Sequence, residues 1–596
     1  MSHNKQITRR NFMKVITAAT IPVVMPSKNI VRTKREAVPP NVIIIITDDQ
    51  GYGDLSCHGN PILKTPNLDR LFSESVRLSN FHVDPTCSPT RASLLTGRYS
   101  SRAGVWHTIM GRSLLRGDEM TMADIFTQNG YITGIFGKWH LGDNYPYRPE
   151  YRGFHEVLTF GGGAIGNAPD FWQNDYFDDT YYHNGKWEKF KGYCTDIFFS
   201  EAIEFIRKAN RQPFFVYLPT NTPHWPHNVN EKYVEAYRNI VPEKRATFYG
   251  MISNIDENIG RLLKFLEANR LSENTIIIFL TDNGTSFGAE FDNFGFITDG
   301  FNAGMRGGKG SVYEGGHHVP CFIRWPAAGF QEGSDLSVLT AHIDLLPTLI
   351  DLCNLKTPEN ISFDGSSIRP LLAGAMKSWP ERTIFVHNQR VDYPIKWKDY
   401  VVMKSNWRLV NGTELYDIYR DPEQRRNLAD DHANLVKSLR QSYEQWWEEI
   451  SSRFSEYCPI VIGSDKENPV KLTSHDIHGQ VAWDQRHVFR NSRCDGFWVV
   501  EVSREGYYDI SVRRWPEETD LPISAAPQGG VAIKPTHARL KIADFDLIKP
   551  VDTLDKAITF RVPLRTGKTW LQAWLIDGRE NGESNGAFYV YINFLK

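Results

Sequence analysis

The chain has 596 residues, of which 41 % are hydrophobic and 23 % charged, a globular composition that excludes disorder and fibrous repeats. Lys plus Arg number 68 against 70 Asp plus Glu, a formal charge of -2 with no basic run, so a nucleic-acid partner has no electrostatic support. No apolar run approaches the about 20 residues that a transmembrane helix needs.

The first 36 residues read as a targeting segment. Thr8-Arg9-Arg10-Asn11-Phe12 precedes a short, weakly apolar stretch ending near Met25. Paired arginines before such a stretch resemble a twin-arginine export signal, which implies a periplasmic destination. Four later segments then read alike. Residues 42–47 (VIIIIT) stop at Asp48-Asp49, and residues 131–136 stop at Gly137-Lys138-Trp139-His140. Residues 214–218 lead to Thr222-Pro223-His224, and residues 275–281 (TIIIFLT) stop at Asp282-Asn283-Gly284. Unbroken apolar runs are strands buried on both faces, as in a parallel sheet covered by helices. Helical patterns lie between them, the clearest being Ile252, Ile255, Ile259, Leu262, Leu263 and Leu266. The predicted fold is α/β, a mostly parallel sheet sandwiched by helices, over residues 37–375. Ligands of such sheets gather at the carboxyl ends of the strands, where each of the four runs places polar residues.

Residues 376–460 read as a smaller α+β subdomain, with a helix over 433–450. From about residue 461 to 596 short alternating strands separated by Gly, Pro and Asp predict an appended β-sandwich. Trp570 and Trp574 share a parity on one strand, so they face one side of its sheet. They are assigned to the sandwich core rather than to a sugar platform, because a small sandwich needs large inward side chains. The seven cysteines show neither C-x-x-C nor zinc spacing and are too scattered for a disulfide framework.

Asp48, Asp49, Asp282 and Asn283 offer hard oxygen ligands suited to Ca²⁺ or Mg²⁺. Acids after strands also cap helices or form Asx turns, but two acidic pairs ending two buried strands favour a metal. Cys87-Ser88-Pro89-Thr90-Arg91 places a cysteine beside a helix start, since Pro89 suits the first turn. Partial positive charge there favours an anion, and Arg91 adds a forked cation. By chemistry alone Cys87 is open to two readings, a nucleophilic thiolate or an inert core cysteine.

The run C-S-P-T-R-A-S-L-L-T-G from Cys87 resembles the signature of the sulfatase family, C-x-P-x-R. Residues 130–140 (GYITGIFGKWH) match a second family signature, and Met305-Arg306-Gly307-Gly308-Lys309-Gly310 with Val312-Tyr313-Glu314-Gly315-Gly316 matches its lysine loop. The resemblance covers roughly residues 40–430 and departs at Gly316-His317-His318-Val319-Pro320, where the family usually has Arg before Val-Pro. It implies that a maturase oxidises Cys87 to Cα-formylglycine, whose hydrate is the nucleophile. It also implies a divalent cation on Asp48, Asp49, Asp282, Asn283 and the modified Cys87; the several carboxylates lean toward Ca²⁺ over Mg²⁺. Arg91, Lys138 and Lys309 would stabilise charge on the sulfate, His224 would protonate the leaving alcohol, and His140 would be the base that expels sulfate.

The expected function is a sulfuric ester hydrolase acting on a sulfated carbohydrate. Its rivals are a phosphonate or phosphate-diester hydrolase of the same superfamily and a glycan-binding protein whose Cys87 is never matured. Trp172, Tyr181, Tyr182 and Trp225 are candidates for stacking on sugar rings, with packing an equal alternative.

Overall fold

The computed structural model describes residues 38–209, 212–376, 379–577 and 584–595. The export-signal segment lies outside them. No helix among the described residues is long and apolar enough to cross a membrane.

The four apolar runs form neighbouring parallel strands: Thr275–Thr281, Asn41–Thr47, Phe214–Pro219 and Ile132–Gly137, in that spatial order. Glu156–Thr159 continues the parallel set, and antiparallel pairings at both sides, with one parallel edge strand at Asp335–Leu336, extend the sheet to ten strands among the described residues. Alternate residues of each strand enter opposite cores, which is why the runs are apolar throughout. Val42, Ile44 and Ile46 pack with Leu94, Leu95, Ile125 and Phe126 on one face. Ile43 and Ile45 pack with Phe198, Ile252, Ile255 and Ile259 on the other. The helix Glu243–Ala268 lies there, and its periodic residues are those the sequence pattern marks.

Four antiparallel strands, from Thr383–His387 to Glu414–Asp417, pack against the helix Ala433–Ser451. Beyond it, two sheets enclose one core. Asp495–Val502, Gly567–Asp577 and Pro535–Ile542 are the centre of one, and Tyr589–Leu595 and Gly506–Arg513 of the other. Trp498 and Trp515 are buried in or beside this core. The expectation for Trp570 and Trp574 is overturned: Leu571, Ala573 and Leu575 face inward, leaving Trp570 58 % exposed. Period-2 alternation makes two residues share a face without saying which face is buried. Trp570 stacks instead on Phe497 at 4.6 Å.

The loop 161–174 carries a pH-sensitive group. Asp170 is buried and accepts hydrogen bonds from Gly166 N (2.9 Å) and Asn174 Nδ2 (3.1 Å), yet burial pushes its pKa up to about 8. The folded state therefore binds the proton more tightly than the unfolded chain, whose Asp titrates near 4. This stabilisation is complete below about pH 4 and is lost as pH rises through about 8. The substitution Asp170→Asn should flatten the decline in Tm between about pH 5 and 9, read by calorimetry. The flattening should be partial, because buried Asp54, raised to about 7, acts with the same sign.

Candidate active site

Register assembles the site. Thr47 pairs with Thr281 across the central parallel strands, so Asp48-Asp49 and Asp282-Asn283 leave the sheet side by side. Ile46 pairs with Pro219 and Ile135 with Tyr217, which brings residues 220–224 and Lys138 to the same edge. Two backbone bonds continue the pairing, Asp282 N donating to Thr47 O (3.0 Å) and Asp48 N to Thr222 O (3.1 Å). Gly137 is required at the exit of its strand: its φ is +126°, and a Cβ there would lie 2.0 Å from Pro219 O. Asp49 (φ 68°) and His140 (φ 58°) adopt the left-handed conformation although neither is glycine. Such backbone costs about 1–3 kcal/mol and is held by its surroundings.

Cys87 is the first residue of the helix Cys87–Thr96. Its Sγ lies 3.4 Å from His140 Nδ1. His140 Nε2 sits 2.8 Å from Thr108 O, an acceptor, so Nε2 carries the proton and the Nδ1 lone pair faces Cys87. Burial, with charge on Lys138 and His475, drives the His140 pKa well below that of free imidazole. On this loop-backed histidine Gly163 packs so closely that a Cβ would lie 2.1 Å from Cε1.

The cations and carboxylates interlock. Arg91 Nη2 donates to Asp282 Oδ2 and Lys138 Nζ to Asp48 Oδ2, each at 2.7 Å and with all four side chains fully buried. Lys309 Nζ donates to Asp49 Oδ2 at 2.7 Å, and His224 Nε2 lies 3.7 Å from the same oxygen. The lysine loop is fixed by Lys309 N on Thr285 O (3.0 Å) and Gly310 N on Pro85 O (2.8 Å). Burial raises the Asp282 pKa and the neighbouring Asp48 charge raises it further. Burial would do the same to Asp49, but Lys309, His224 and Lys138 outweigh it and hold that carboxyl well below its usual range. Burial and Lys309 lower the His224 pKa to about 3.

The catalytic and metal-ligand candidates named from the sequence thus meet at one sheet edge. Acceptor atoms of Asp48, Cys87 and Asp282 lie within 4.8 Å of one another, as do those of Asp48, Asp49 and His224. Asp48 Oδ1 and Asn283 Oδ1 are buried without a hydrogen-bond partner. Orphaned oxygens among crowded carboxylates fit a hard divalent cation, with Asp48, Asp49, Asp282 and Asn283 as its holders.

The structure adds residues that the motifs do not contain. His475, from the C-terminal sandwich, is buried with its ring 6.1 Å from that of His140. Its Nδ1 lies 2.8 Å from Asp476 Oδ1, and this carboxylate raises the His475 pKa against the effect of burial. No local pattern marks either residue. Of the proposed stacking aromatics, Tyr181 is core, Trp172 packs on Trp515 (5.3 Å), and Tyr182 takes a hydrogen bond from Arg148. Trp225 is 39 % exposed. Where the resemblance predicts Arg before Val319, His318 pairs with Glu314 (3.0 Å), and a guanidinium reaches Glu314 from Arg408 (2.6 Å). A 710 Å³ cleft between residues 142–161 and 466–476 is lined by Tyr182 but by none of the catalytic or metal-ligand candidates.

An α/β sheet with a cysteine-headed helix, paired acids and buried cations at its carboxyl edge defines a hydrolase of anionic esters. The sulfatase family model matches residues 40–355, and the model for the N-sulphoglucosamine sulphohydrolase C-terminal region matches 308–449. The chain belongs to the sulfatase family and is a sulfuric ester hydrolase. Human arylsulfatase A is 32 % identical over 457 residues, 69 % of this chain and 87 % of that protein. The N-acetylgalactosamine-6-sulfatase of Canis lupus familiaris is 30 % identical over 59 % of this chain and 68 % of its own length. Among solved structures, Ps i-CgsB in complex with k-i-k-neocarrahexaose superposes with a TM-score of 0.63 at 28 % identity, covering 70 % of this chain and 95 % of that one.

Proposed function

We propose that this sulfatase hydrolyses sulfate esters of a carbohydrate, using formylglycine made from Cys87 by a maturase and a divalent cation. The observation that carries the reading is Cys87 Sγ facing the His140 Nδ1 lone pair at the edge of the carboxylate cluster. The names of similar proteins support the substrate class, since one is an N-acetylgalactosamine-6-sulfatase and another was crystallised in complex with k-i-k-neocarrahexaose.

An aldehyde at position 87, once hydrated, would supply both the oxygen that attacks sulfur and a second hydroxyl whose deprotonation expels sulfate. A cation on Asp48, Asp49, Asp282 and Asn283 would supply Lewis-acid polarisation of the ester. The protein's own residues do the rest. His140 Nδ1 takes the proton at the Cys87 position, and Thr108 O fixes the tautomer that lets it do so. Arg91, Lys138 and Lys309 balance the charges of Asp282, Asp48 and Asp49, so a divalent cation would leave the cluster with a net positive charge facing an anionic ester. His224 is neutral without ligand. An anionic ester beside it would raise its pKa and let Nε2 deliver a proton to the departing alkoxide.

The domain limits 37–375, 376–460 and 461–596 and an exported location complete the proposal. Calcium is favoured over magnesium because several carboxylates gather at the site. Chelation followed by dialysis should lower Tm by about 2–4 °C, as expected for losing a ligand present at 100–1,000 times its Kd from a chain of this size. Added Ca²⁺ should restore Tm in a calorimetric titration, and an unchanged Tm after exhaustive metal removal would contradict the site.

A further inference from the structure

The residues described so far hold the sulfate and the bond that breaks. The side from which the alcohol departs is built jointly by the catalytic sheet and the C-terminal region. Trp225 follows His224 directly, and the Arg486 guanidinium lies over its ring with Cζ 3.8 Å from the centroid. Trp483, 41 % exposed, stands edge-on to His487 at 4.2 Å. Asp484 holds Arg486 through a two-pronged pair, Nε to Oδ1 (2.7 Å) and Nη2 to Oδ2 (2.8 Å). Nη1 of Arg486 makes no hydrogen bond among the described residues.

This turn is fixed to the wall of the active site. Ala168 N donates to Trp483 O (2.9 Å), Gln485 N to Gly166 O (3.0 Å) and Gln485 Nε2 to Asn167 O (3.1 Å). The same loop supplies Gly163, which packs on His140. Residues 483–487 therefore join the loop behind one active-site histidine to the tryptophan beside the other.

The Arg486 guanidinium covers one face of the Trp225 indole, and the exposed remainder of that ring, the part-exposed Trp483 and the guanidinium edge together suit a sugar. The C–H face of a pyranose stacks on indole, and a hydroxyl, carboxylate or sulfate of that ring meets the free guanidinium edge. We infer that Trp225, Trp483 and Arg486 form the subsite for the sugar unit on the leaving side. The substrate is then a sulfated oligosaccharide rather than a sulfated monosaccharide or aryl sulfate, and the C-terminal region is its specificity element. The inference rests on the sulfatase reading.

The test compares kcat/KM on 4-nitrocatechol sulfate with that on sulfated di- and tetrasaccharides from chondroitin sulfate, heparin and carrageenan. In Trp483→Ala and Arg486→Ala the oligosaccharide-to-aryl ratio should fall about tenfold or more, the scale of one aromatic or charged contact, chiefly through KM. Equal losses on both substrate types indicate a structural role and overturn the subsite, as does an unchanged ratio. Wild-type enzyme that cleaves the aryl ester but neither cleaves nor is inhibited by any oligosaccharide also overturns it. Failure to release sulfate from every probe, with the aldehyde verified at position 87, refutes the sulfatase reading and the inference with it.

Discussion

Cys87→Ala should lower kcat/KM on an aryl sulfate by at least about 10⁴-fold while shifting Tm by no more than about 3 °C. The two effects separate because the position contributes much to chemistry and little to packing. Cys87 is buried at the head of its helix, and among the described residues its Sγ has one hydrogen-bonding neighbour, His140 Nδ1. Losing one buried sulfur costs about 1 kcal/mol, since alanine keeps the helix and leaves a small void. His140 stays fixed by Thr108 O and Gly163, so the proposed base survives without the group it would serve. Peptide mass spectrometry of the parent should show the aldehyde in proportion to specific activity. A highly active parent carrying only the thiol would remove formylglycine from the mechanism and restore the thiolate reading.

A chain ending at residue 459 should lose soluble expression or melt at least about 10 °C below the parent. The sandwich is built into the catalytic unit rather than tethered to it. Leu114 and Tyr147 belong to the sandwich core, and Trp172 packs on that core from outside. Exposing them costs about 1.5–3 kcal/mol each. Glu467 accepts from Asn144 Nδ2 (3.0 Å), Tyr145 N (2.6 Å) and Arg148 Nη2 (2.7 Å), and Met110 N donates to His475 O (2.9 Å). Deletion would strand those donors around the loops next to His140. Differential scanning fluorimetry and size-exclusion chromatography of the shortened chain decide the matter. A soluble, fully active short chain that loses only polysaccharide affinity would make the C-terminal region a separable binding module, contrary to this expectation.

The candidate site was legible because its chemistry sits next to strong local signals. Asp48, Lys138, His224 and Asp282 each follow an apolar strand closely, and parallel pairing in register sends all of those ends to one edge. Lys309 lies far from any such strand, and only the family resemblance marks it. Its placement depends on Thr285 O and Pro85 O, which no spacing encodes.

From sequence alone came the α/β sheet, its buried strands, the cysteine-headed helix and the identity of the residues at the strand ends, because periodicity and apolar run length are local properties. The tertiary structure decided the rest. Trp570 and Trp574 have a shared parity that the sequence states, but which side of their sheet is covered depends on the partner sheet. The tautomer of His140 depends on Thr108 O, and the approach of His475 and Arg486 depends on how a sandwich more than three hundred residues along the chain docks on loops 108–112 and 161–174. Docking is set by complementary surfaces summed over many weak contacts, and no short window of sequence carries that sum.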